Sequence, residues 1–188
     1  LNKLYSSGAR TQDGPLGNAV VAIESPEEER VREYLRAAGV DLYIPLNEWS
    51  TTRGLRNQAN RDGVAGTTDP KKLLEYLLGI DTSGIFLLLD FTRHLDDAKV
   101  ARLFREVAQH FQVRQSTIVL CGDPLTIPPE IRHLVTPFDL PLPTAAEVTS
   151  VVVRTVQALA STNKIQINLD QQGQQEFVRH LGGLTLAQ

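Results

Sequence analysis

The sequence predicts an α/β protein of three layers, in which a parallel sheet of about five strands lies between helices. The first observation is the run Ile85–Leu89, whose five consecutive apolar residues are typical of a strand that helices cover on both faces. The second is that apolar runs alternate with segments of helical periodicity, which favours parallel strands joined by right-handed crossovers. The third is Asp90, directly after the run, because open α/β sheets bind ligands at the carboxyl ends of their strands.

Composition limits the class of protein further. The 188 residues suit one domain, with at most the beginning of a second small one, and 41% hydrophobic residues can build a core. The net charge of −3 gives no overall basic field that would attract nucleic acid or an anionic membrane. The longest apolar runs have the length of strands, so no membrane span is predicted. Cys121 is the only cysteine, which excludes a disulfide framework and favours a cytosol-like compartment.

The first elements are predicted to be a strand and a capped helix. The apolar run Ala19–Ile23 is interpreted as a buried strand. Ser25 is expected to be the N-cap of the following helix, because Pro26 suits the first helical position and Glu28 completes a capping box. The helix is expected to end at Gly39, since glycine commonly follows the last helical turn.

The next segment is predicted to be an edge strand followed by a long loop. Residues 41–46 have the composition of a strand, and Pro45 places it at an edge because proline cannot donate to a ladder. Residues 47–69 are polar and rich in glycine, and they form the longest irregular stretch of the chain. Loops of this length are commonly functional or disordered.

The remaining chain continues the alternation of helices and strands. Asp69 with Pro70 is expected to cap a helix that runs through Leu78. The clearest amphipathic helix is predicted over residues 96–111, whose apolar side chains share one face. The other predicted elements are a strand over 117–121, a helical turn over 130–134, an interrupted strand over 135–140, and helices over 144–160 and about 169–181.

This order of elements, with its short motifs, resembles the AAA-type ATPase module. The phrases at 84–91, 127–130 and 139–143 resemble the amino-terminal half of an AAA-type family encoded as a hypothetical reading frame in algal chloroplasts and cyanobacteria. In that family this half precedes a separate, complete AAA module. The chain begins at Leu1 and contains no methionine, so we expect it to be a piece of a longer protein.

The resemblance implies a P-loop ATPase-like sheet with strand order 5-1-4-3-2, followed by part of a helical lid. It also implies a division of the chain into a loose leader over 1–18, an AAA-like α/β domain over 19–143 and a lid-like helical region over 144–188. By position, Asp90 corresponds to the Walker B acid, which binds Mg²⁺ through water, and Asp123 corresponds to the sensor that touches the γ-phosphate.

The nucleotide site implied by this resemblance lacks its working residues. A P-loop needs glycines whose amides wrap the phosphates, and a lysine that reaches the β/γ oxygens, whereas residues 24–30 contain neither. Phe91 stands where the family has the glutamate that activates water, and Pro137 stands where it has the arginine finger. Asp90 and Asp123 are therefore interpreted as a vestigial Walker B acid and a vestigial sensor, which now serve as turn and cap residues.

The expected function is a non-catalytic AAA-like amino-terminal module of a larger AAA-type ATPase, serving assembly, regulation or partner binding. No catalytic residue, cofactor or metal is assigned to this fragment, while ATP and magnesium are assigned to the parent protein. The expected partners are a second copy of the chain, the carboxyl-terminal AAA module or another protein, without membrane or nucleic acid. The family implies the cytoplasm, or the chloroplast stroma for a plastid-encoded protein.

Two alternatives remain open at this point. The first is a divalent-metal-dependent enzyme that uses Asp90 and Asp123, together with the acidic turn Glu27–Glu29. The second is a pore-loop module in which Trp49, with the arginines at 53 and 56, grips a polypeptide or a nucleic-acid strand by stacking and charge. Against the second stands the simpler interpretation that Trp49 packs on the sheet. The pore-loop candidates are Trp49, Arg53 and Arg56.

Overall fold

The computed structural model describes residues 19–141. The predicted leader over 1–18 and the predicted lid-like helices from residue 144 lie outside the described residues. The helices and strands are β1 (Val20–Glu24), α1 (Glu28–Leu42), β2 (Leu46–Ser50), β3 (Gly54–Arg56), α2 (Pro70–Gly79), β4 (Ile85–Leu89), α3 (Ala98–Arg114), β5 (Thr117–Gly122) and β6 (Val135–Pro137), with short 3-10 turns at Phe91–His94 and Arg132–Leu134.

The sheet has six strands in the order β3-β2-β4-β5-β1-β6. β6, β1, β5, β4 and β2 are parallel to their neighbours and reproduce the predicted order 5-1-4-3-2, so the predicted fold class is confirmed. β3 is an addition, since it pairs antiparallel with β2 and extends the sheet by one edge strand. No described helix combines the length and the apolar composition that a bilayer crossing needs.

Helices cover both faces of the sheet. The side chains of the central strand, β4, point alternately to one face and the other, so each face has its own apolar cluster. Ile85 and Leu87 of β4 lie in the cluster that contains Val31 of α1. Phe86 of β4 lies in the other cluster, with Phe104 of α3 and with side chains of α2. All five residues of β4 are buried, as the apolar run predicts. β5 lies between β4 and β1 and is parallel to both, so the carboxyl ends of these three strands lie side by side.

The start of α1 differs from the capping box predicted for Ser25. The helix begins at Glu28 with Glu27 as N-cap, while Ser25 Oγ accepts a hydrogen bond from Glu27 N at 3.1 Å. The reason is that Ser25 still belongs to the sheet edge, since its backbone N donates to Gly122 O at 3.1 Å. Pro26 therefore precedes the helix instead of opening it.

The predicted strand over residues 41–46 and the predicted helix end at Gly39 are both wrong. α1 continues through Gly39 to Leu42 and ends at Tyr43, a residue in the left-handed conformation with φ of 57°. Gly39 serves a close approach: a Cβ atom there would lie 2.7 Å from Ile44 O. β2 begins only at Leu46, after Pro45, and β3 covers its outer side, so it is not an edge strand.

The segment predicted as one long loop begins as a hairpin of β2 and β3. Gly54 enters β3 with φ of 66°, a conformation that glycine adopts without strain. The chain after β3 is fastened to it, because Leu55 N donates to Thr67 Oγ1 at 2.8 Å and Val64 N donates to Leu55 O at 2.7 Å. At this edge of the sheet, the backbone N–H and C=O groups of Leu55 are therefore hydrogen-bonded by residues of the following loop.

The helices on the other face begin where their acidic caps place them. Asp69 caps α2 by accepting hydrogen bonds from Lys71 N and Lys72 N, which confirms the predicted start of that helix. Asp97 caps α3 in the same way, so this helix starts slightly later than predicted and runs on to Arg114. β6 is shorter than the strand predicted over 135–140.

Candidate functional site

The ends of β1, β4 and β5 meet at one edge of the sheet, where the family resemblance predicts a vestigial nucleotide site. Asp90 N donates to Cys121 O at 2.8 Å, which joins the end of β4 to the end of β5. Leu125 N donates to Glu24 Oε1 at 3.1 Å, so the chain after β5 turns toward the end of β1. The predicted site residues of these strands therefore lie at one edge.

Asp90 terminates β4 in the left-handed conformation, with φ of 53°. Its carboxylate is about half exposed and lies 3.6 Å from Arg93 Nε. It also lies over the backbone of β5, since a Cβ atom on Gly122 would be 3.2 Å from Asp90 Oδ1. Asp90 makes no side-chain hydrogen bond to the 3-10 turn that follows, so its main partner among the described residues is Arg93.

Asp123 follows β5 at an exposed position, and its peptide bond to Pro124 is cis. Within residues 19–141, no three side chains of His, Cys, Asp or Glu lie close enough together to hold a metal ion. The metal-dependent alternative built on Asp90, Asp123 and Glu27–Glu29 thus has no ligand set in this part of the chain.

The junction between β1 and α1 carries carboxylates where a P-loop carries amides and a lysine. The Glu27 side chain is only 5% exposed, and its Oε2 accepts from Arg30 Nη1 at 3.2 Å. Its other oxygen, Oε1, is buried without a hydrogen-bond donor in the described structure. Glu28 and Glu29 add two exposed carboxylates in the first turn of α1. These charges suit the positive end of the helix dipole, which is where a phosphate would otherwise bind.

Cys121 lies beneath this edge as a buried thiol, 3.9 Å from Ser25 O. Burial raises the pKa of the Cys121 thiol to about 12, and the negative charges of Glu28 and Asp90 act in the same direction. The thiolate is the nucleophilic form, so this cysteine is a packing residue and not a reactive group.

We expect Cys121 to react with 5,5′-dithiobis(2-nitrobenzoate) at about pH 8 at least tenfold more slowly in the native protein than in guanidinium chloride, because burial keeps the thiol protonated and covered. The measurement is unambiguous, since the chain has no other cysteine. Equal rates in the two conditions would mean that the sheet edge opens readily.

Trp49 lies inside the protein, away from any surface that could grip a polymer. Its side chain is fully buried, and its indole ring packs edge-on against Phe91 at 5.2 Å and His94 at 5.8 Å between centroids. Its Nε1 donates to Thr67 O. This position agrees with the simpler interpretation that Trp49 packs on the sheet, and it leaves the pore-loop hypothesis without its aromatic residue.

The two other pore-loop candidates line a groove that the sequence did not reveal. We call it the arginine groove: a cavity of about 810 Å³ between α1 and the β2–β3 hairpin. Its lining includes five arginines and two glutamates, although the chain as a whole carries a net charge of −3. The arginines are Arg32, Arg36, Arg53, Arg56 and Arg61, and the glutamates are Glu29 and Glu48.

Glu48 forms hydrogen bonds with two of the arginines on one wall of the arginine groove. Its carboxylate accepts from Arg32 Nε at 2.6 Å and from Arg56 Nη2 at 2.9 Å. Burial favours the neutral acid, but the hydrogen bonds and charges of these two arginines outweigh it and hold the pKa of Glu48 below its ordinary value. Arg32 also pairs with Glu29. Two of the five arginines are therefore neutralised within the groove.

The sequence offered only a partial signal for this groove. Arg32 and Arg36 are four residues apart on α1 and therefore share one face of the helix. The groove forms only because the β2–β3 hairpin and the chain after it bring Arg53, Arg56 and Arg61 to that face, which is a tertiary contact.

A comparison with protein families assigns most of the described residues to one family. Residues 17–140 match the model of the SpoVK-like AAA ATPase N-terminal domain. The AAA domain-containing protein ycf46 of Trieres chinensis is 28% identical over 170 residues, which cover 89% of this chain and 33% of that protein. The ycf46 protein of Guillardia theta is 29% identical over 144 residues, covering 74% of this chain and 28% of that protein. This chain thus spans about a third of the length of these relatives.

Solved structures of similar fold agree with this match. A chain of the HORMA:CdnC:Trip13 complex of E. coli MS115-1 superposes with a TM-score of 0.52 at 12% identity, covering 95% of this chain and 66% of that one. PCH-2 of C. elegans superposes with a TM-score of 0.51 at 12% identity, covering 90% of this chain and 48% of that one. At this identity the likeness bears on the fold alone.

Proposed function

Because this chain belongs to the family of SpoVK-like AAA ATPase N-terminal domains, we propose that it is a non-catalytic AAA-like module within a larger AAA-type ATPase, where it serves assembly, regulation or partner binding. The observation that carries the proposal is the Glu27 carboxylate, which is buried where a phosphate-binding loop would lie. The parallel sheet of the fold is retained, whereas the chemistry of the nucleotide site has been replaced.

Electrostatics oppose a triphosphate at this junction. One phosphate charge about 4 Å from the Glu27 carboxylate would cost roughly 4 kcal/mol at an effective dielectric constant near 20. Glu28 and Glu29 would add repulsion from the surface of the first turn. Pro26 removes one backbone amide that could otherwise donate to a phosphate oxygen.

The residues that would carry out hydrolysis are also replaced. Phe91 is fully buried directly after Asp90, so no carboxylate follows the vestigial Walker B acid to activate water. Asp90 already has Arg93 as a partner, and Asp123 is exposed at the neighbouring strand end. We therefore assign no catalytic residue, ATP or magnesium to this module.

The proposal assigns ATP hydrolysis to a carboxyl-terminal AAA module outside these residues. Its support is that the chain spans only 28–33% of the length of its ycf46 relatives. The proposed partners are that module, a second copy of the chain or another protein. The proposed compartment is the cytoplasm, or the chloroplast stroma for a plastid-encoded protein.

We expect this chain to give no saturable heat when it is titrated with Mg·ATP or Mg·ADP up to millimolar concentrations, and no shift of its melting temperature. The physical reason is the repulsion between the phosphates and the carboxylates at the start of α1. The positive control is a full-length protein that includes the carboxyl-terminal module, which should bind in the same assay. Micromolar binding by this chain alone would contradict the proposal.

A further inference from the structure

We propose that the arginine groove binds an acidic peptide segment of a partner protein, with an apolar side chain of that segment packed against Tyr43 and Val40. The inference rests on the partner-binding part of the proposed function and adds the site and the chemistry of the ligand. Nucleotide binding and peptide binding are separate measurements, so either proposal can fail while the other stands.

Three arginines supply the charge that such a peptide would meet. Arg36, Arg53 and Arg61 are exposed, and within residues 19–141 none of them forms an ion pair. An unpaired guanidinium is a fork of donors that matches a carboxylate in a bidentate geometry. Concentrating these groups in one groove of an acidic chain creates a local field that attracts acidic segments.

The wall of the groove is already arranged for binding. Glu48 holds Arg32 and Arg56 by hydrogen bonds, which fixes both guanidinium groups along β2 and β3. Because Glu48 is neutralised by these two cations, it repels an incoming carboxylate less than a free acid would. Arg32 and Arg56 therefore lose little side-chain entropy when a ligand packs against this wall.

Exposed apolar side chains at one end of the groove favour a peptide over a bare anion. Tyr43 is 94% exposed and Val40 is 70% exposed, and both line the groove at the carboxyl end of α1. Ile44, Pro45 and Leu46 continue this apolar border. The Tyr43 position is held by the backbone, since its N–H donates to Val40 O at 3.2 Å. Aromatic side chains beside arginines are the composition that protein interfaces prefer.

The backbone contacts of β3 disfavour strand addition as the mode of peptide binding at this edge of the sheet. A peptide could add a strand to an open sheet edge, but Leu55 N and Leu55 O are already bonded by Thr67 and Val64. Recognition must then use side chains, namely carboxylates that pair with arginines and an apolar residue beside Tyr43. A nucleic-acid strand is disfavoured by the acidic balance of the chain.

The test is fluorescence anisotropy with a labelled peptide of about twelve residues that alternates glutamate and leucine. The comparison probes are a peptide in which lysine replaces glutamate and a single-stranded oligonucleotide of equal charge. We expect the acidic peptide to bind with a Kd below about 1 mM, the lysine peptide not to bind, and the oligonucleotide to bind more weakly. A tighter oligonucleotide, or no binding of the acidic peptide, would overturn the proposal.

Two triple variants locate the binding site. Arg36→Glu/Arg53→Glu/Arg61→Glu should weaken binding of the acidic peptide at least tenfold. Its charge-matched control changes three exposed, unpaired cationic side chains outside the groove and should weaken binding by less than about threefold, because distant surface charges are screened. Equal losses in both variants would overturn the assignment to the groove. The control variant is Lys72→Glu/Lys99→Glu/Arg132→Glu, whose three original side chains are exposed and form no ion pair within residues 19–141.

Single variants test the apolar contact. Tyr43→Ala should weaken binding about fivefold to tenfold, as expected when an interface aromatic residue is truncated. Tyr76→Ala removes another exposed tyrosine, which does not line the groove, and should leave binding unchanged. Unchanged binding of the Tyr43 variant would overturn the apolar part of the proposal. All of these side chains are exposed, so the melting temperatures of the variants should stay close to that of the parent chain.

Discussion

Replacement of Trp49 by alanine is expected to lower the free energy of unfolding by about 3–5 kcal/mol. The indole is fully buried, packs against Phe91 and His94, and donates its N–H to Thr67 O. Its removal leaves a large cavity and one backbone acceptor without its donor, and both effects destabilise the native state. Urea denaturation followed by circular dichroism would measure the loss, since the variant has no tryptophan fluorescence.

A matched control for Trp49 is Tyr43→Ala, because Tyr43 is an aromatic residue with little buried surface. This control should change the free energy of unfolding by no more than about 0.5 kcal/mol. If Trp49→Ala were as stable as the control, the indole would have to lie at the surface. That result would revive the hypothesis that Trp49 belongs to a substrate-gripping loop.

The central part of the fold could be predicted from sequence because each of its signals has one physical interpretation. Five consecutive apolar residues at Ile85–Leu89 have few stable positions other than a strand covered on both faces. Asp69 followed by Pro70 specifies a helix start by two independent effects, a side-chain cap and a preset φ angle. These segments lie where they were predicted.

The segment from Gly39 to Trp49 could not be predicted because its signals have two interpretations. Glycine can end a helix or permit a close approach, and only the position of Ile44 O decides between them. Trp49 follows a polar residue and precedes another, as a loop residue or a half-buried strand residue would. Pairing with Leu88 of β4 and Leu55 of β3 places it in β2, and Phe91 and His94 cover its ring.

The candidate site, like the fold, could be predicted from the sequence only in part. The absence of glycine and lysine from residues 24–30 is visible in the sequence itself. The burial of Glu27 and its pairing with Arg30 depend on packing and required the structure. The arginine groove could not be found without the structure, because its arginines come from α1 and from residues 53–61, which are distant in sequence.

Replacement of Gly39 by alanine is expected to destabilise the protein by about 1–3 kcal/mol, the usual cost of overpacking. In an ordinary helix interior the same change would stabilise by about 1 kcal/mol, because alanine is the better helix former. Here the new methyl group would lie 2.7 Å from Ile44 O, and this atom is backbone that cannot rotate away. The acceptor Gly39 O also bonds Ile44 N at 2.9 Å, so relief of the clash would disturb the end of α1.

The sign of this effect is what separates the two interpretations of Gly39, and Gly79→Ala supplies the control. Gly79 is the exposed last residue of α2, and a Cβ atom there would meet nothing within 4 Å. Alanine should therefore stabilise at this position by about 0.4–1 kcal/mol, through a smaller entropy of the unfolded chain. Opposite signs for the two variants in urea denaturation would support a close packing of α1 against the Ile44 backbone. A stabilising Gly39→Ala variant would instead mean that the turn before β2 lies farther from the helix, and that the arginine groove beside it has a different shape.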